Sequence, residues 1–271
     1  MKINFFKIFL RTFLLQIFWN YRKMQNIGRL FVVLPVLKNL YKDNPDMLKR
    51  AIQRNLDAFN SNPVMASYSL GAIIKQEEKI AKTEPVRLAG EERELRAISI
   101  STANTVASIG DRLFWATLKP FSLLLLIITL YTVQVYTFKN LETPTERVFA
   151  AIGAVIFSLF VYNIPALIVR YKGLKDSYNG TEDNFYGLIK VNWNRIIYAL
   201  KTTGQILTFG IFVYSLYINF AGEGLSADLL TRTALLVSFL VLSIWTKKLN
   251  IPNIYLYIVA TIIFCAASFI S

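Results

Sequence analysis

The sequence predicts an all-α integral membrane protein. The expected parts are a cytoplasmic or interfacial helical N-terminal part, a re-entrant or protein-covered hairpin, and about five transmembrane helices. Three observations lead there. Hydrophobic residues make up 54% of the 271 residues and the mean hydropathy is +0.42, where an average soluble domain is roughly 45–50% apolar. Only 17% of residues are charged, against about 25% in such a domain. The charge is also unevenly spread: residues 1–97 hold 17 Lys/Arg and 9 Asp/Glu, while residues 121–138 hold none. This division predicts a head over 1–97, a re-entrant or protein-covered segment over 98–120, and spans over 121–271.

The net charge of +13 does not point to nucleic acid. The basic residues flank hydrophobic segments, where the positive-inside rule puts them, and do not form a basic face on a polar fold. The one cysteine, Cys265, lies in an apolar run, and there is no histidine. An intrachain disulfide, a Cys- or His-based metal site and a phosphohistidine relay are thereby excluded, and no cofactor is expected.

The N-terminal stretch is interrupted by Lys7 and Arg11 and has no small-residue cleavage site, unlike a signal peptide. Phe5, Phe6, Phe9, Phe13 and Ile17 fall on one helical stripe, which suits either a helix lying on membrane lipid or one packed on protein. Residues 27–41 are apolar but shorter than the roughly 20 residues a span requires, with Pro35 as a kink. Asp43-Asn44-Pro45-Asp46 starts a helix over about 45–60, with Lys49, Arg50 and Arg54 on its exposed face. Asn60-Ser61-Asn62-Pro63 ends it. A helix is expected over 64–82, and residues 83–96 form a loop and a helix start.

Residues 98–118 are rich in small and hydroxyl side chains and carry Asp111-Arg112. They are too polar to face lipid, which predicts the hairpin or protein-covered segment. Spans are expected near 121–138, 148–169, 203–220, 229–246 and 252–270. The loops between them alternate in charge: 170–201 has six basic and three acidic residues, and 221–228 holds only Glu223 and Asp228. The head is therefore expected in the cytoplasm and the C-terminus outside.

Four segments carry a resemblance, in order. They are Trp19–Gly28 (WNYRKMQNIG), Arg50–Pro63 (RAIQRNLDAFNSNP), Gly71–Glu78 (GAIIKQEE) and Ile109–Pro120 (IGDRLFWATLKP), with a looser fifth at Phe160–Tyr178. Together they resemble the IID component of the mannose/fructose/sorbose phosphotransferase systems. The resemblance implies a bacterial inner-membrane subunit that forms a sugar path with a IIC membrane subunit. Cytoplasmic IIA and IIB phosphocarriers would phosphorylate the incoming hexose-type sugar, so this chain would be part of a hetero-oligomer and not catalytic alone. The family pattern has glycines and a proline before Gly110, where this chain has Ser101 to Ile109 without either. That departure admits two other readings: a non-transporting regulatory dock for phosphotransferase proteins, or a small transporter working independently.

The candidate substrate-binding or gating residues are Asp111, Glu77, Glu78, Asn60, Gln25 and Asn20. An intramembrane carboxylate needs a partner or a task, and Asp111 can accept from a sugar hydroxyl, pair with Arg112 or cap a helix. Paired Glu77 and Glu78 could grip hydroxyls in bidentate fashion, or form a solvated face with Lys75 and Lys79. The amides donate and accept, which suits sugars and equally suits capping. Gly110, Asn163 and Pro165 are path or hinge candidates, the last two within a span whose helix would be broken or merely kinked.

Overall fold

The computed structural model describes residues 3–140 and 144–223, and these are helical with short connections. The first helix, α1 (Phe5–Thr12), is capped by Asn4, whose side chain accepts from the Lys7 amide at 3.0 Å. Its inner face buries Ile8 and Thr12. Phe6, Leu10, Phe13 and Ile17 stay exposed, a second apolar face at helical spacing. Helix α2 (Asn26–Leu40) carries Pro35 inside it without a break. Helix α3 (Pro45–Asn55) starts as expected, with Pro45 in the first turn and Asn44 accepting from the Met47 amide at 3.0 Å.

Helix α4 (Ala66–Ala81) is the centre of the head, with residues 66–74 all buried. Asn62 starts this segment by accepting from the Val64 and Met65 amides at 3.1 and 3.4 Å. Helix α5 (Leu88–Gly110), a π-helical segment (Asp111–Leu118) and α6 (Lys119–Asn140) then follow without a break. The expected re-entrant hairpin over 98–118 is therefore not formed. Residues 98–109 contain neither Gly nor Pro, and their hydroxyls bond to carbonyls of their own helix. Thr102 donates to Ile98 at 2.6 Å and Thr105 to Ser101 at 2.9 Å, so local polarity is satisfied without a turn. Protein covers one face only: Leu95, Ile98, Thr102, Val106, Gly110 and Leu113 are buried at helical spacing.

Helix α7 (Pro144–Asn179) runs unbroken through Pro165, and α8 (Trp193–Glu223) follows a loop shorter than the expected 170–201. That loop holds Gly187 at φ 78°, and Asn184 accepts from the Gly187 amide at 2.8 Å. Three helical stretches among the described residues are long and apolar enough to cross a membrane: Pro85–Val133, Thr145–Asn179 and Trp193–Ser215. The spans expected at 229–246 and 252–270 lie outside the described residues.

Contacts set the relative level of the first two stretches. Ser158 donates to the Ser122 carbonyl at 2.7 Å, and the Phe114 and Tyr162 rings meet edge-on at 6.4 Å. The two therefore run antiparallel side by side. Helix α4 docks on α7 through glycines: a Cβ on Gly71 would meet the Leu174 carbonyl at 2.5 Å, and one on Gly173 would meet the Tyr68 ring at 2.6 Å. Small residues at such a crossing let the backbones approach. Buried Arg170 ties α1 to α7, donating to the Thr12 carbonyl at 2.8 Å with its guanidinium 4.4 Å from the Phe13 ring centre.

Gly71→Leu should lower stability by about 1–3 kcal/mol, because overpacking here strains backbone. Gly153→Ala, which meets nothing within 4 Å, should leave it unchanged. Melting of the purified chain in detergent measures both; equal midpoints would contradict the crossing.

Candidate functional site

Two polar constellations emerge, one closed and one open. The closed one centres on Glu77, which is fully buried. Arg54 reaches it in a fork, Nε donating to Oε1 at 2.9 Å and Nη2 donating to Oε2. Asn55 Nδ2 donates to Oε1 at 2.6 Å and the Tyr41 hydroxyl donates to Oε2 at 2.9 Å. A carboxylate has about four lone-pair sites, and all are used within the chain. A sugar-binding role for Glu77 does not fit this arrangement. Arg54 also corrects its expected exposure: it is 5% exposed, and its Nη1 donates to Glu92 on α5 at 3.0 Å. Burial works against its charge, but the hydrogen bond and charge of Glu77 outweigh that and hold its pKa above the usual value. Burial and the Glu77 charge raise the Tyr41 phenol, so it stays a donor.

The remaining head candidates also serve the fold. Glu78 accepts from Lys82 at 3.0 Å and from the Tyr178 hydroxyl of α7. It faces a different neighbour from Glu77, so the two acids do not act as a pair. Gln25 is buried and exchanges two bonds with the Ser61 backbone, at 2.9 and 3.0 Å. Asn20 closes the turn to Met24, donating to the Met24 carbonyl at 3.1 Å and to Asn26 at 2.8 Å. Asn60 is exposed and has no side-chain hydrogen bond among the described residues. Its neighbours Ser61 and Asn62 are the buried, bonded residues of that motif. Asn163 is exposed and donates to the Leu159 carbonyl of its own helix at 2.8 Å, and Pro165 follows two residues on in the same helix.

The open constellation surrounds Asp111. Asn62 Nδ2 donates to Asp111 Oδ1 at 3.0 Å. A Cβ on Gly110 would meet the Asn62 side chain at 2.5 Å. The Gly110-Asp111 pair thus lets α5 press on the Asn62-Pro63 turn and then bonds to it. Asp111 and Arg112 make no ion pair with each other among the described residues, and both are exposed. Ser101, Asn104, Ser108 and Trp115 are exposed beside them, forming a polar stripe on the uncovered face of α5 and the π segment. Asp111 precedes Phe114 by three residues, and Phe114 meets Tyr162. The Ser108–Trp115 end of the stripe therefore lies level with the apolar run of α7. Thr117 Oγ1 donates to the Arg112 carbonyl at 2.7 Å, one of the bonds of the π turn that widens the helix here.

Arg29 and Tyr41, central to the closed constellation and its surroundings, were not singled out in the sequence. Their signal was indirect: an acid in one motif (Glu77) and a base in another (Arg54) that a packed head could bring together.

The described residues define an all-helical membrane protein with several apolar stretches long enough to span and an exposed polar face on α5 and the π segment. Residues 1–134 match the model of the PTS system mannose/fructose/sorbose family IID component. The mannose-specific EIID component of Escherichia coli (strain K12) is 26% identical over 212 residues, covering 78% of this chain and 65% of that protein. The fructose permease IID component of Bacillus subtilis (strain 168) is 27% identical over 119 residues, 44% of this chain and 42% of that protein. Each match spans less than two thirds of the relative's length. Just under half of the chain, residues 1–134, thus matches the IID family model, and similarity to a curated IID component extends over 212 residues. Two solved structures share the fold. A complex of the mannose transporter ManYZ with microcin E492 has a chain with a TM-score of 0.51 at 20% identity, covering 100% of this chain and 98% of that one. A second, described as a membrane protein, has a TM-score of 0.60 at 19% identity, covering 97% and 95%.

Glu77→Gln should cost about 3–5 kcal/mol, since it takes from Arg54 its fully buried counterion and leaves only the more exposed Glu92. Glu77→Gln combined with Arg54→Met should cost distinctly less than Glu77→Gln alone. Thermal unfolding of the wild type, the two single variants and the double variant tests this, and a double variant as unstable as the two single losses summed would contradict a paired knot.

Proposed function

We propose that this chain is the IID membrane subunit of a mannose-family sugar phosphotransferase system, forming the sugar translocation unit with a IIC subunit. A hexose-type sugar would cross at the joint surface and be phosphorylated by IIB on the cytoplasmic side, with IIA supplying the phosphoryl group. This chain would contribute scaffold and gate, without phosphorylating anything itself. The match to the IID family model supports the system, and the neighbour solved as a mannose transporter supports the two-subunit reading.

The observation that carries the proposal is the exposed polar stripe. An Asp111-Arg112 pair beside Ser108 does not face lipid hydrocarbon without cost, since a charge within a span costs up to about 2.5–3.5 kcal/mol at the bilayer centre. The face must be covered by another polar surface or line a hydrated path. Asp111 accepts one bond from Asn62 and keeps acceptor sites free for a hydroxyl. Trp115, half exposed at 50%, offers a flat apolar surface of the kind on which a sugar ring packs. Among the candidates, Asp111, with Gly110 holding its backbone against the Asn62 turn, is the residue we assign to substrate or gate. The alternating loop charges support a cytoplasmic N-terminus, in the bacterial inner membrane.

The test uses membrane vesicles holding this chain, its IIC partner and the soluble phosphocarriers. Asp111→Asn should reduce sugar phosphorylation coupled to uptake by about tenfold or more, the scale of a lost hydrogen bond to a charged group. Co-purification with IIC should be unchanged. Wild-type uptake by Asp111→Asn would overturn the assignment, and no saturable hexose uptake by the intact assembly would overturn the transport reading.

A further inference from the structure

We infer that the head carries a binding pocket for a phosphate group, most fitting the headgroup of an anionic phospholipid. The pocket lies between the end of α3, α4 and α5, with a cavity of about 340 Å³. That is within the range of small-ligand sites, about 300–1,000 Å³. Its charged lining is Arg29, Arg54 and Arg96 against Asp57 alone. Arg54 is already neutralised by Glu77 and Glu92. Arg96 reaches Asp57 at 3.5 Å, and both are open to solvent.

Arg29 is different. It is 3% exposed and forms no ion pair among the described residues. Its bonds go to neutral acceptors: the Asn55 carbonyl at 2.9 Å, the Ser99 hydroxyl at 2.9 Å, the Arg54 carbonyl at 3.0 Å and the Asp57 carbonyl at 3.3 Å. Buried charges are ordinarily paired. These bonds orient the guanidinium and use most of its five donors; no carboxylate contacts it, and Asp57 and Glu77 act on its charge only through space. An anion in the cavity supplies a direct counterion, and Arg96 can swing from Asp57 to close over it. Arginine forks suit phosphate oxygens.

The rest of the wall favours a lipid source. Ile73, Leu95 and Ile100 line the cavity, and Ile100 is 60% exposed, continuing the apolar wall outward. Thr102 of α5 accepts from the Ser69 hydroxyl of α4 at 2.8 Å, and Gly71 of α4 packs against Leu174 of α7. The cavity is therefore level with α7 just beyond its apolar run, which ends at about residue 169. At 1.5 Å per residue that is roughly 8 Å past the hydrocarbon, in the headgroup zone. Basic pockets at that level bind anionic headgroups.

The test counts lipid retained by the full chain after purification from membranes, by native mass spectrometry, together with melting in added phosphatidylglycerol, phosphatidylcholine or glycerol 3-phosphate. The expected result is retained phosphatidylglycerol and a higher melting midpoint with it but not with phosphatidylcholine. Arg96→Gln should weaken retention about fivefold, the scale of one arginine at an anionic surface. Ala58→Phe, which fills the cavity and leaves every arginine in place, should abolish it. Stabilisation by glycerol 3-phosphate with no lipid retained would uphold the phosphate site and assign it a soluble ligand. Equal retention by wild type, Arg96→Gln and Ala58→Phe, with no response to glycerol 3-phosphate, would overturn the inference. Because the readout is lipid and not sugar, its failure leaves the transport proposal standing.

Discussion

The Arg54 guanidinium, held between Glu77 of α4 and Glu92 of α5, is the interaction on which the rest of the structure depends. It is a buried charge pair, so neither partner can be lost without stranding the other. Tyr41 and Asn55 complete the knot from α2 and α3. Four helices are thereby tied at one carboxylate and one guanidinium. The consequence reaches beyond the head, because α5 continues without a break into the π segment and α6. Fixing its start at Glu92 fixes which of its faces turns outward.

A second tether, about five turns along, confirms that orientation. Gly110 presses on Asn62 and Asp111 bonds to it. Between the two tethers, Ile98, Thr102 and Val106 pack inward and Ser101, Asn104 and Ser108 turn out. The chain therefore shows lipid-like apolar residues on α7, such as Phe160, Ile164 and Ile168, while presenting polar ones at a similar depth on α5. Such a surface is incomplete by itself. It is the physical reason for reading the chain as one part of a larger transport unit.

Much of the architecture was legible from local chemistry. The Asn44-Pro45 start of α3, the Asn62-Pro63 break and the apolar runs of α6 and α7 all declare themselves within a few residues. What was not legible was tertiary. Arg54 lies among other basic residues and looks like part of a solvated face until Glu77 meets it from 23 positions away. Arg29 lies just past a matched motif and is bonded mainly to carbonyls, which no side-chain pattern announces. The hairpin expectation failed for a related reason. Residues 98–118 are too polar to face lipid, but Thr102 and Thr105 satisfy themselves on their own helix, so the segment needs no turn.

The central claim is that the outward face of α5 is covered by a polar membrane partner or by water, and not by lipid. A photo-activatable residue introduced at Ser108, in native membranes holding the whole transport complex, measures this directly. Phe160 of α7 provides the lipid-facing comparison. The account predicts crosslinks from position 108 to a second membrane subunit or quenching by water, with lipid adducts concentrated at position 160. Lipid adducts from position 108 as abundant as those from position 160 would contradict it.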